Sequence, residues 1–104
     1  MDKKDAIKIA IEYLSFLKSK ENNIIKAYLF GSYANGNFNN DSDIDLAIVY
    51  NGIKNKIYNT QIQLLMLATK FDTRIEPHPF DKKDFNISNP LVNEVLKTGI
   101  EIKF

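Results

Sequence analysis

Cysteine and tryptophan are absent from this 104-residue sequence, and arginine occurs once, at Arg74. Without cysteine there is no disulfide, no thiolate zinc site and no thiol nucleophile; a reducing compartment, the cytoplasm, fits that composition. The single arginine among 14 basic residues argues against sequence-specific DNA binding, because base edges are read chiefly by the guanidinium fork. A formal net charge of +1 provides no global field toward nucleic acid or membrane. No stretch approaches the roughly 20 apolar residues that a membrane span requires. The N-terminal MDKKDAIKIAIEYLSFLKSK is broken by Lys8 and Glu12 and is followed by no small-residue cleavage site, so it does not read as a signal peptide.

What is present suits one compact core: 44% of residues are apolar and 12% aromatic. The length fits a single small domain over residues 1–104, with no room for separate substrate or lid domains. Residues 3–20 have the period of an amphipathic helix, with Ile7, Ala10, Ile11, Leu14 and Leu17 on one stripe, widened by Ile9, Tyr13 and Phe16. Ile24–Phe30 and Asp43–Tyr50 read as strands, the second apolar on both faces beyond Asp45 and hence interior. Residues 54–71 read as a second helix with Ile57, Gln61, Leu64, Leu65 and Ala68 inward. Thr73–Phe80 is extended, with Pro77 and Pro79 confining its later half to a sheet edge or exit loop. In NPLVNEVLKTG, Asn89 can cap a short helix, Pro90 suits its first turn and Gly99 its end. IEIKF alternates as a last strand. The order implies an α+β fold, a mixed β-sheet with helices packed on it. A sheet this small, with an exposed terminal strand, also has an edge that a second copy or a partner chain could cover.

Chemistry concentrates in YLFGSYANGNFNNDSDIDLAIVY, residues 28–50. Gly31 at a strand end permits a tight reversal and close approach of another group. If SYAN then starts a helical turn, its free N–H groups and the Ser32 hydroxyl suit a phosphate. Asp43 and Asp45 share a strand face, with Cα atoms about 6.6 Å apart. At an effective dielectric near 20, unit charges at that separation repel by about 2.5 kcal/mol, and by about 0.6 kcal/mol in open water. A solvated strand end therefore tolerates them, while Ile44, Leu46 and Ile48 anchor the strand and hold both carboxylates rigidly. Rigid paired carboxylates are what Mg²⁺ binds together with substrate phosphates.

Taken together, the Gly-Ser turn and the Asp-x-Asp pair of GSYANGNFNNDSDID resemble the nucleotidyltransferase superfamily that includes polymerase β, and the short chain resembles its minimal bacterial and archaeal members. That resemblance implies ATP or another nucleoside triphosphate gripped at Gly31 and Ser32, with Tyr33 either against the base or ribose or a core aromatic. It implies two Mg²⁺ ions on Asp43, Asp45 and a third carboxylate, for which Glu76 is the candidate where the family usually has aspartate. Asn35 stands where many relatives carry a basic residue. His78, between two prolines, reads first as a structural or solvent-facing loop residue and second as a proton carrier, and Asp41 as a loop acid. The implied reaction is transfer of a nucleoside monophosphate, AMP from ATP, to a hydroxyl. The acceptor implied first is a small helical partner of the HEPN ribonuclease type, with this chain as antitoxin of a toxin–antitoxin module. A non-catalytic binding subunit that neutralises such a partner is the alternative, and a small-molecule, antibiotic-type transferase is the second alternative.

Overall fold

The computed structural model describes all 104 residues, Met1 to Phe104. Helix α1 spans Lys3–Lys20. Its cap is Asp2, whose side chain accepts the Asp5 N–H at 2.8 Å. Strand β1 (Ile24–Phe30) leads into a one-turn helix α2 (Ser32–Asn35), then β2 (Ile44–Tyr50), α3 (Ile57–Ala68) and β3 (Ile75–Asp81). A 3-10 turn at Lys82–Asp84, α4 (Pro90–Thr98) and a two-residue β4 (Ile100–Glu101) complete the chain.

The strands form one mixed sheet in the order β3-β2-β1-β4, with β2–β3 parallel and the other two pairs antiparallel. The α+β expectation therefore holds. β2 is an interior strand whose two faces both meet apolar side chains. Ile44, Leu46, Ile48 and Tyr50 join the main core under α1 and α3. Ala47 packs on the opposite face with Phe30 and Val95, beneath α4. β3 has a partner on one side only, so the missing N–H groups of Pro77 and Pro79 are tolerated there.

Three local expectations need correction. The buried face of α1 is Ala6, Ala10, Tyr13, Leu14 and Leu17, rotated away from Ile11, which is exposed. Tyr13 draws the helix round, because its hydroxyl donates to the Leu64 carbonyl of α3 at 2.7 Å. α3 is shorter than residues 54–71 and buries Thr60, Leu64 and Ala68, leaving Ile57 and Leu65 about half exposed. It carries no charged side chain, so hydropathy alone does not select its inner face. Only two residues of IEIKF pair as strand, although the Ile102 N–H still donates to the Ala27 carbonyl at 2.9 Å.

No helix is long and apolar enough to cross a membrane. The pairing Phe30↔Asp45 and Asp45↔Glu76 sets the end of β1 beside the starts of β2 and β3. The chemistry-bearing residues meet at that sheet end.

Candidate active site

Gly31 turns the chain out of β1 at φ 73° and ψ −147°, a backbone region open essentially to glycine alone. A Cβ at this position would collide with the Asp45 carboxylate. The backbone angles call for glycine, a Cβ would also have to displace the Asp45 carboxylate, and the bend lies directly against the acidic strand. The Ala34 and Asn35 N–H groups bond back to the Gly31 carbonyl at 3.1 and 3.0 Å, while Ser32 and Tyr33 are the first residues of α2, whose opening N–H groups have no intrahelical acceptor. Two such donors therefore sit beside the carboxylates.

The loop from Gly36 to Asp43 is shaped by its own polar side chains. The Asn37 N–H donates to Asn35 Oδ1 at 3.0 Å, the Asn39 N–H to Ser42 Oγ at 2.8 Å, and the Asp41 N–H to Asn39 Oδ1 at 2.8 Å. Asn and Ser close such turns readily because their side chains mimic a backbone acceptor. The loop is also tied from outside: Arg74 pairs with Asp72 at 2.8 Å and donates from Nη1 to the Asn40 carbonyl at 3.2 Å. The lone arginine thus fastens the start of β3 to the loop that carries Asp43. Hydrogen bonding to Arg74 holds the Asp72 carboxyl below the usual carboxylate range.

Asp43 and Glu76 are exposed, while Asp45 is partly covered. Desolvation raises the Glu76 carboxyl above its ordinary value, and the charges of Asp45 and Asp43 raise it further. Three carboxyls therefore crowd one another without a countercharge from Arg74, which is committed to Asp72. Such a set suits a hard divalent cation, which would remove the mutual repulsion. The tightest group is Asp45, Glu76 and His78, whose potential ligand atoms all lie within 4.8 Å of one another.

His78 corrects the sequence reading: it lies within β3, not in a loop, on the same face as Glu76. Its ring contacts Phe30 edge-on at 5.2 Å between centroids, and Nε2 lies 3.6 Å from Asp45 Oδ1. The signal for it was the two-residue step from Glu76 to His78, which the flanking prolines obscured. For Tyr33 the structure supports the core reading over contact with base or ribose: its ring is fully buried and stacked on Phe38 at 4.7 Å. The Asn35 side chain is occupied in the loop turn. Asp41 is exposed, as expected of a loop acid.

The site is an open shelf at the sheet end. A cavity of about 440 Å³, lined by residues including Lys18, Glu21, Tyr50 and Lys54, lies at the other end of the sheet.

The family described as polymerase beta, nucleotidyltransferase matches residues 12–103, and the chain belongs to that family. No curated protein matches the chain. Among solved structures, a Sulfolobus solfataricus protein classed as a candidate nucleotidyltransferase is 22% identical with a TM-score of 0.69, over 95% of this chain and 80% of that one. A toxin–antitoxin complex with AMP-PNP is 23% identical with a TM-score of 0.67, over 93% of this chain and 72% of that one. A mutant of the toxin–antitoxin pair MntA–HpeT is 21% identical with a TM-score of 0.63, over 99% and 73% of the two chains. These likenesses are of fold.

Proposed function

We propose that this chain transfers AMP from ATP to a hydroxyl of a small helical partner protein and so acts as the antitoxin of a toxin–antitoxin pair. One observation carries the reading: a Cβ at the Gly31 bend would meet the Asp45 carboxylate. The contact supports a phosphate-binding bend and a metal-binding carboxylate cluster acting at one sheet end. Family membership supports nucleotidyl transfer, and toxin–antitoxin complexes among the structural neighbours, one with AMP-PNP, support the substrate and partner.

Asp43, Asp45 and Glu76 would hold Mg²⁺, two ions by the family resemblance, supplying charge neutralisation to the triphosphate and acidity to the acceptor hydroxyl. The chain's own groups do the positioning, which dominates phosphoryl chemistry. The Ser32 and Tyr33 N–H groups and the Ser32 hydroxyl hold phosphate oxygens of ATP. The acceptor oxygen bonds to the α-phosphorus as its bond to the β-phosphate bridging oxygen breaks, and pyrophosphate leaves. Glu76, whose carboxyl is raised by desolvation and then by the charges of Asp45 and Asp43, would receive the hydroxyl proton.

The test mixes the purified protein, the helical protein encoded beside it, α-labelled ATP and Mg²⁺. Label on the partner is expected, with its loss in Asp43→Asn/Asp45→Asn while the two proteins still associate. Full neutralisation of the partner by that double variant would mean that binding, not transfer, is the function.

A further inference from the structure

Besides the carboxylates, the site contains an imidazole that the proposed transfer leaves without a task. His78 Nε2 is buried and has no hydrogen-bond partner. It lies 3.6 Å from Asp45 Oδ1, too far for a hydrogen bond. Two ligands of one cation, each about 2.1 Å from it, lie roughly 3.0–3.4 Å apart in octahedral or tetrahedral arrangement. The observed spacing is therefore close to that of two neighbours on a shared ion. Glu76 supplies a further oxygen within the same group. The fold holds all three in place: Asp45 and Glu76 are paired across β2 and β3, and His78 follows one same-face step deeper on β3, with its ring against Phe30.

We propose that His78 is a nitrogen ligand in the metal site, making Asp45, Glu76 and His78 a mixed nitrogen–oxygen set that prefers Mn²⁺ and later first-row divalent ions to Mg²⁺. The reason is ligand chemistry. Mg²⁺ takes oxygen almost exclusively, whereas imidazole binds transition ions and its affinity climbs along the first row. A Glu in place of the usual Asp, with a His two residues on, changes which ion the family's site selects. This inference rests on the reading of the shelf as a metal-dependent transferase site.

The chain has a single histidine, so untagged protein gives an unambiguous spectroscopic test. Pulsed electron paramagnetic resonance of the Mn²⁺-loaded protein is expected to show nitrogen modulation from a directly bound imidazole. In His78→Gln that modulation disappears, Mn²⁺ affinity falls at least about tenfold and Mg²⁺ affinity is unchanged. The spectrum of the unmutated protein decides the point by itself should the variant misfold. Mn²⁺ bound in an Asp45-dependent manner without nitrogen modulation would overturn the His78 assignment and leave the proposed transfer standing. An unmutated protein that binds neither Mn²⁺ nor Mg²⁺ with ATP present would overturn both.

Discussion

Gly31 carries the most information of any residue in the chain. Its φ of 73° and its contact with Asp45 come from two different constraints, so Gly31→Ala violates both. The variant is expected to lose about 1–3 kcal/mol of stability in urea unfolding and to lose metal-dependent nucleotide binding. Glu76 behaves oppositely. Its carboxyl titrates above the ordinary value when folded, through desolvation and the charges of Asp45 and Asp43. The folded protein is therefore penalised as pH rises through that folded value, and the penalty vanishes below the ordinary carboxylate range. Glu76→Gln should raise the Tm of metal-free protein by about 1–3 °C at neutral pH, with no gain in acid, while transfer is lost. Stability gained as activity disappears would mark Glu76 as strained for function. That Gly31, Asp43, Asp45 and Glu76 meet at one sheet end was legible, because a strand-end Gly-Ser turn and an acidic strand start have to converge when β1 and β2 pair. His78 was obscured, since prolines on both sides signal a loop until an edge strand is known to accommodate them.

At the scale of elements, the helix and strand limits that capping and strong periodicity fix were readable, and the helix faces were less so. α1 ends where the sequence places it, yet its orientation depends on a hydrogen bond to α3 that no local pattern encodes. Tyr13→Phe removes this buried hydrogen bond to the Leu64 carbonyl and should cost about 0.5–1.5 kcal/mol by urea unfolding. α3 could not be oriented from sequence because apolar side chains occur all round it. β4 is short because only Ile100 and Glu101 reach β1 in register. The join between β3 and the Asp43 loop depends on Arg74 and Asp72. Asp72 is held below its ordinary value, so the pair contributes above the unfolded carboxylate range and is lost as pH falls through the folded value. Arg74→Gln should destabilise the protein at neutral pH and by less in strong acid, where only the bond to the Asn40 carbonyl remains to be lost, as measured by chemical unfolding across pH.

For the whole molecule, a mixed sheet covered by α1 and α3 on one face and α4 on the other leaves one end free for chemistry. The charge balance of +1 gave no hint of that end, because the acids there are offset by lysines elsewhere. Ligands that bind only the assembled shelf stabilise the entire fold by mass action. ATP with Mg²⁺ or Mn²⁺ at a hundredfold excess over Kd should add about 2.7 kcal/mol to unmutated protein and nothing to Asp45→Asn. The most direct measurement is the anomalous scattering of Mn²⁺ in crystals grown with a non-hydrolysable ATP analogue. Manganese peaks are expected against Asp43, Asp45 and Glu76, with the triphosphate on the Ser32 and Tyr33 amides. Nucleotide bound elsewhere, or a triphosphate at Ser32 with no metal on the three carboxylates, would contradict the proposed site.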